Sequence, residues 1–153
     1  VLARGGHSLV LRIPLLVGDG PTLDASGFVS QLVHGLQDPT PQVADNVIIR
    51  YPTFIRDVAE AAAFLFGQGV TGVCHFSGDI CYTRYSAFVE AASLLGLSAA
   101  HIQPVGKVVT RAAARPVNSQ LCTDKIRALG FRQFTHFRDV IRETVARFGI
   151  RPA

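Results

Sequence analysis

The sequence predicts an α/β layer architecture in a single unit, residues 1–153. Apolar residues make up 48% of the chain and charged residues 17%, which is enough to bury a core and excludes a disordered chain. Short apolar segments alternate with segments of helical periodicity, in the order strand, helix, strand, helix, strand, helix. This alternation is typical of parallel strands covered by helices.

The first segment, residues 8–18, is predicted to be one buried strand because it is apolar and partly β-branched. The turn-forming run Gly18–Pro21 ends it. In residues 26–37 the apolar side chains fall at helical spacing, and Ser26 is a possible N-cap. Residues 38–42 contain two prolines and predict a loop.

Residues 46–54 predict a short extended segment, and Pro52 places it at a sheet edge or a strand end. An alanine-rich helix follows, beginning near Ile55 or Asp57 and ending at Gly67. The remaining elements are a strand within 72–78, a helix from Thr83 to Gly96, a short strand at 101–105, a helix at 124–130 capped by Thr123, and a last helix at 136–149 capped by Thr135.

Residues 67–72, GQGVTG, fit the pattern G-x-G-x-x-G of dinucleotide-binding loops. Such a loop must leave a strand and open a helix, so that the pyrophosphate lies on the helix N-terminus. Here the predicted order is the reverse, because a helix precedes the motif and a strand follows it. We therefore interpret the glycines as a helix stop and a turn.

The net charge of +4 comes from scattered arginines, so we expect ordinary surface charge and no nucleic-acid partner. No apolar run reaches the roughly 18 residues of a membrane helix, so we expect no membrane partner. The three cysteines, Cys74, Cys81 and Cys122, lack metal-binding spacing and suggest reduced thiols in an intracellular protein. We expect a cytoplasmic location, with an organelle as the alternative.

Five segments together resemble the C-terminal half of extended short-chain dehydrogenases/reductases of the dTDP-4-dehydrorhamnose reductase family. They occur in the family's order, at 10–18, 50–65, 72–97, 114–131 and 135–144. The resemblance implies a fold class: the substrate-side lobe of an NAD(P)-binding, Rossmann-like protein. Residues 11–18, 50–59, 75–78 and 135–144 resemble most the branch of the regulatory beta subunit of methionine adenosyltransferase. Gly27–Val29 resembles the reductase branch instead, so the branch stays open.

The chain departs from this family in two motifs that carry its chemistry. It has no N-terminal G-x-x-G-x-x-G, and none of Tyr51, Tyr82 and Tyr85 is followed by lysine at the fourth position. In the family the tyrosine of that pair is the general acid. We therefore predict no catalytic residue in this chain, and we expect the N-terminal dinucleotide-binding half, with most of the NADP or NAD site, to be absent from it.

The resemblance implies two groups of binding residues near the cofactor and the substrate anion. Pro14 and Leu16 lie where the family strand passes the nicotinamide, and core packing is the alternative. Arg115 lies near the substrate cleft, where it can contact a sugar-nucleotide diphosphate; a structural arginine is the alternative. Asn118 is a further substrate-side candidate, with local turn hydrogen bonds as its alternative role.

The extended corner of Tyr51, Pro52 and Thr53 lines the cleft floor in the family, and a plain turn is the alternative. Phe28 could pack on a substrate base, although an aromatic residue at helical spacing is more often core. The histidines share no metal spacing, so we predict no metal site.

Three hypotheses for the function follow. In the first, the chain is the substrate-side part of a reductase acting on a keto-sugar nucleotide, with the missing half or a partner chain supplying the cofactor. In the second, it is a non-catalytic regulatory subunit that binds the methionine adenosyltransferase catalytic subunit through its C-terminal region. The third is a truncated relic within a larger assembly.

Overall fold

The computed structural model describes residues 8–18, 20–106 and 116–150. The strands are β1 (Leu9–Arg12), β2 (Leu15–Val17), β3 (Gln42–Asp45), β4 (Pro52–Phe54), β5 (Gly72–His75) and β6 (Ile102–Val105). The helices are α1 (Phe28–Gln37), α2 (Ile55–Gly67), α3 (Arg84–Leu95), α4 (Asp124–Ala128) and α5 (Phe137–Arg147), and a 3-10 turn spans Asp24–Ser26. None of the helices in these ranges is both long and apolar enough to cross a bilayer.

The strands form three parallel pairs, as the predicted alternation of strands and helices requires. β1 pairs with β5, β2 with β4 and β3 with β6. The registers place Leu9 opposite Gly72, Leu15 opposite Pro52 and Gln42 opposite Ile102. Because the strands are parallel, each pair is joined by a crossover that contains at least one helix.

Residues 8–18 form two strands, where one was predicted. Pro14 lies in the bend between β1 and β2, and the two strands pair with different partners. Proline has no N–H for a ladder, so the pairing changes there. β3 was not predicted from the sequence, and it begins at Gln42, the last residue of the predicted loop.

Two apolar clusters build the core. The larger one joins α1, α3 and α5, with Val33, Phe88 and Val140 fully or almost fully buried at its centre. The smaller one lies between α2, α4 and the β1–β5 pair, and contains Ala61, Leu65, Cys74, Phe76, Ile126 and Phe131. Of the candidate binding residues, Phe28 packs against the larger cluster.

The end signals of α3 are confirmed. The Thr83 hydroxyl accepts from the Ser86 N–H at 3.0 Å, the Ser86 hydroxyl accepts from the Thr83 N–H at 2.9 Å, and Gly96 ends the helix in the left-handed region. Thr123 precedes α4 but does not cap it with its side chain, because its hydroxyl accepts from Arg127 Nε at 3.0 Å.

The expected cap of α1 is wrong. Gly27 occupies the N-cap position of α1. The Ser26 hydroxyl accepts from the Gly20 N–H and donates to the Thr22 carbonyl, both at 3.0 Å. Ser26 therefore closes the loop before the helix, an alternative use of a short hydroxyl side chain that competes with capping.

The expected cap of the last helix is also wrong, since His136 precedes α5. The hydroxyl of Thr135 donates to the Asp57 carboxylate at 2.8 Å, and its N–H donates to the same carboxylate. Asp57 lies in the first turn of α2 and is 2% exposed. The buried carboxylate therefore holds α2 against the segment before α5.

The interpretation of the glycine motif is confirmed. α2 ends at Gly67, Gly69 lies in the following turn with φ 64°, and β5 begins at Gly72 with φ 83°. The motif thus joins a helix to a strand and does not present a helix N-terminus to phosphate.

Candidate functional site

The cofactor candidates lie at the change from β1 to β2. Along β2, Val17 points into the core and is 3% exposed, whereas Leu16 points outward and is 43% exposed. Pro14 is half-buried in the preceding bend. Leu16 is therefore available for contact with a group outside the core, and the role of both residues stays a prediction.

Leu16 borders an open hollow of about 230 Å³, which we call the β2 hollow. It is lined by Leu16, Val17, Gly18, Gly20, Ala25, Ser26, Gly27 and Ile55. The Ser26 hydroxyl is occupied within its own loop, so the remaining lining is apolar side chain and glycine backbone. The volume of the β2 hollow is below the roughly 300–1,000 Å³ of a complete ligand pocket.

The corner Tyr51–Thr53 is buried and connected to the end of β5. The Thr53 hydroxyl donates to the Tyr51 carbonyl at 3.0 Å and accepts from the Gly78 N–H at 3.0 Å. A Cβ atom on Gly78 would lie 2.2 Å from the Pro52 carbonyl oxygen. The corner and the loop after β5 are thus in direct backbone contact, and Thr53 positions one against the other.

Two tyrosine hydroxyls near the corner are held in their neutral form. Burial raises the pKa of Tyr51, and the neighbouring Cys81 raises it further. Burial also raises the pKa of Tyr82, with Glu90 adding to the effect. Both phenols therefore remain uncharged hydrogen-bonding groups throughout the neutral pH range.

Asn118 lies on a segment that runs beside the strand leading to the corner. The Ile49 N–H donates to the Val117 carbonyl at 2.7 Å, and the Ser119 N–H donates to the Ile49 carbonyl at 3.2 Å. Asn118 is exposed, and its Oδ1 accepts from the Gln120 N–H at 2.9 Å, as in an Asx turn. The structure thus brings Asn118 close to the corner. Arg115 lies outside the described residues.

Phe28 packs against the larger apolar cluster. At the start of α1 it is half-buried, and its ring stacks on Phe137 with the centroids 5.8 Å apart. Tyr82 packs on the other side of this contact, 5.1 Å from Phe137. The core alternative accounts for these contacts, and stacking on a substrate base stays a prediction.

The described ranges contain no group of three or more His, Cys, Asp or Glu side chains that could hold a metal ion. All three cysteines are free, with Cys74 buried and Cys81 and Cys122 exposed. Among the described residues, the candidate site offers the exposed side chain of Leu16, the buried hydroxyl of Thr53 and the exposed amide of Asn118.

A family profile described as the RmlD substrate binding domain matches residues 1–150. The chain belongs to this family. The family resemblance stated from the motifs is thereby confirmed.

Curated relatives of this RmlD-like chain carry the name methionine adenosyltransferase 2 subunit beta. The protein from Xenopus laevis is 31% identical over 151 residues, and that from Mus musculus is 30% identical over 151 residues. In both, the alignment covers 95% of this chain and 45% of the relative. The chain therefore spans about half the length of these relatives.

Solved structures confirm the predicted α/β, Rossmann-like fold class. A dTDP-4-dehydrorhamnose reductase from Clostridium acetobutylicum matches with a TM-score of 0.76 at 18% identity, over 92% of this chain and 49% of that one. The Bacillus anthracis dTDP-4-dehydrorhamnose reductase in complex with NADP matches with a TM-score of 0.75 at 19% identity, over 91% of this chain and 47% of that one. The Thermus thermophilus UDP-glucose 4-epimerase complex with NAD matches with a TM-score of 0.71 at 19% identity, over 92% of this chain and 46% of that one.

The structure adds residues to the RmlD-like site that sequence reasoning missed. Gly78 is required where two backbones meet, and Cys81 neighbours the Tyr51 hydroxyl. Gly78 belongs to the family-like segment 72–97, but a glycine just after a strand is common in ordinary turns and does not indicate this contact. Its partner Pro52 is 26 positions away in the chain, and this contact appears only in the fold.

Proposed function

We propose that this chain is the substrate-side part of an NAD(P)-dependent, reductase-like protein that acts on a sugar nucleotide of the dTDP-4-dehydrorhamnose type. One observation carries the proposal. In a member of the RmlD substrate binding domain family, strand β2 with its exposed Leu16, the corner Tyr51–Thr53 and the segment of Asn118 lie next to one another. These are the parts that would close over a bound nucleotide.

The β2 hollow fits part of a nicotinamide dinucleotide. Leu16 offers an apolar contact, and Gly27, where a Cβ would meet no atom within 4 Å, allows a ring to approach the backbone. A volume of about 230 Å³ accommodates one ring-sized group, so the rest of NADP or NAD would lie on polypeptide outside this chain. When bound, the cofactor would supply the hydride.

The residues of this chain would bind and orient the sugar nucleotide. Arg115 would make a charge-assisted contact with the diphosphate, and Asn118 would donate from its amide. Thr53 would hold the corner in place, because its hydroxyl contacts both the Tyr51 carbonyl and the Gly78 N–H. The general acid would come from the dinucleotide-binding half, since no Tyr-x-x-x-Lys occurs here.

Calorimetric titration of the complete polypeptide with NADPH and with dTDP tests this proposal. We expect both to bind, and we expect Leu16→Glu to weaken NADPH binding at least about tenfold by placing a carboxylate against the ring. Val43→Glu is the matched control, because Val43 is exposed on a strand of a different sheet. Absence of binding of either nucleotide by the wild-type protein would contradict the proposal.

The names of the curated relatives favour a second candidate, a regulatory subunit that binds a methionine adenosyltransferase catalytic subunit. The contact would be made by the C-terminal region, following α5. Co-purification of the two proteins, without reduction of dTDP-4-dehydrorhamnose, would favour this candidate. Loss of co-purification when the chain is truncated after Arg147 would show that the residues after α5 make the contact with the catalytic subunit.

We further propose a cytoplasmic location, with an organelle as the alternative. Cys81 and Cys122 are exposed free thiols, which suit a reducing compartment. Fluorescence microscopy of the tagged complete protein tests this, and an exclusively secreted product would contradict it.

A further inference from the structure

Strand β5 pairs with β1 through alternate backbone groups, which leaves the others on its outer edge. Carbonyl groups on the β1 side accept from the N–H groups of Gly72 and Phe76, at 2.8 and 3.0 Å. In a parallel ladder the residues between these two face the other way, so Val73 and His75 direct their N–H and C=O groups away from β1. No strand among the described residues pairs with this outer edge of β5.

The segment that contains β5 has a composition that favours pairing with a further strand. Residues 70–76, VTGVCHF, contain one glycine and no acidic residue, lysine, arginine or proline. Short segments of this kind, β-prone and of low charge, pair readily with an identical segment when their edge is exposed. The edge of β5 is therefore a site of self-association unless another part of the chain blocks it.

Strand β6 shows a different solution at its own edge. The His101 carbonyl accepts from the Gln42 N–H at 2.9 Å, on the side of β3. Because alternate residues face the same side, Pro104 lies at an outward-facing position of β6, where it offers no N–H to another strand. β5 contains no such residue, so the protection of its edge depends on a residue elsewhere in the chain.

Lys125, in helix α4, lies across the outer edge of β5. Its Nζ donates to the Val73 carbonyl at 2.9 Å and to the Thr71 carbonyl at 3.4 Å. The next residue, Ile126, is fully buried in the smaller apolar cluster and fixes α4 beside β5. The ammonium group therefore occupies two acceptors that a further strand would need, and it places a positive charge where that strand would lie.

We propose that Lys125 keeps the chain from pairing, through the outer edge of β5, with the same edge of a second copy. The pairing that it prevents is antiparallel, because a two-fold axis that relates two identical edges reverses the strand direction. Such pairing would remove each Lys125 ammonium from its carbonyl acceptors and bring two like charges together, which is unfavourable. The inference is independent of the proposed function, since it uses no residue of the candidate site.

Analytical ultracentrifugation of the complete polypeptide over a range of protein concentrations tests this role. Lys125→Met keeps an apolar stem and removes the charge and the donor, so we expect its self-association constant to exceed the wild-type value at least about tenfold. Lys125→Arg keeps both the charge and the donors and should associate as weakly as the wild-type protein. Arg142→Ala is the charge-matched control, because it removes one positive charge from an exposed residue of α5.

Three results of this experiment would overturn the proposal. The first is an unchanged association constant in Lys125→Met. The second is an equal increase in Arg142→Ala, because net charge alone would then explain the effect. The third is a Lys125→Arg protein that associates as strongly as Lys125→Met, since the charged donor would then have no role. The outer edge of β1 is the same in every variant, so it does not contribute to these differences.

Residue-resolved hydrogen exchange locates the new contact. In Lys125→Met the Val73 and His75 amides should exchange at least about tenfold more slowly at high than at low protein concentration, because strand pairing protects them. The Gly72 amide is the internal control, because it donates to the Ser8 carbonyl at every concentration. Self-association without this protection would overturn the proposal, since another surface would then be responsible. If Lys125→Met does not fold, Lys125→Ala replaces it in both measurements.

Discussion

Replacing Gly78 by alanine should disrupt the corner of the candidate site. The new Cβ would lie 2.2 Å from the Pro52 carbonyl oxygen, so one backbone must move by about 1 Å to reach an ordinary contact distance. That movement also lengthens the 3.0 Å hydrogen bond from the Gly78 N–H to the Thr53 hydroxyl. Overpacking costs about 1–3 kcal/mol and the hydrogen bond about 1 kcal/mol. The free energy of unfolding should therefore fall by about 3 kcal/mol.

Urea unfolding followed by circular dichroism measures this loss. With a slope of about 2 kcal/mol per molar, the midpoint should fall by about 1.5 M. Gly67→Ala is the matched control, because Gly67 is the last residue of α2 and a Cβ there meets no atom within 4 Å. We expect that variant to unfold at the wild-type concentration or slightly above it. Equal midpoints for the two variants would refute the close approach of Pro52 and Gly78.

Three further predictions concern buried polar groups. Asp57→Ala leaves the half-buried Thr135 donors without their acceptor and should lower the free energy of unfolding by about 3 kcal/mol. Asp139→Ala, at a side chain 48% exposed, should lower it by under about 1 kcal/mol, and similar losses for the two variants in urea would argue against the Asp57 contact. Thr144→Val removes a buried hydroxyl that has no partner among the described residues and should raise Tm, and a lower Tm would point to an unseen partner. Burial raises the pKa of Tyr51 above 10.0, so the stability of the fold should fall as the pH rises past about 10. Tyr51→Phe should therefore lose less Tm between pH 9 and 12 than the wild-type protein, and Tm curves that fall equally with pH in both proteins would contradict this.

Local sequence signals predict the ends of several helices. Helix α2 ends at Gly67, as its helical spacing predicts, and α3 begins after the Thr83 cap and ends at Gly96. These ends are predictable because caps act through neighbouring residues. The same reasoning rejected residues 67–72 as a phosphate loop. Local order alone, helix before strand, was enough to decide that question.

The rest depends on contacts between distant residues. The first apolar run is divided at Pro14, where β1 pairs with β5 and β2 pairs with β4. No local sequence pattern indicates this change of partner strand. Ser26 and Thr135 are residue types that commonly cap helices. The Ser26 hydroxyl instead closes a loop, and the Thr135 hydroxyl makes a tertiary contact with Asp57. For the candidate site, the motif resemblance indicated the corner Tyr51–Thr53 and Asn118, whose binding roles stay predictions. It could not show that Gly78 meets Pro52.

A crystal structure of the complete protein with NADP(H) and dTDP tests the central claim most directly. The account predicts the nicotinamide ring within about 4 Å of Leu16 and the nucleotide against residues 116–119, with the dinucleotide phosphates on polypeptide outside this chain. A structure in which both ligands contact only residues outside 1–153 would contradict it.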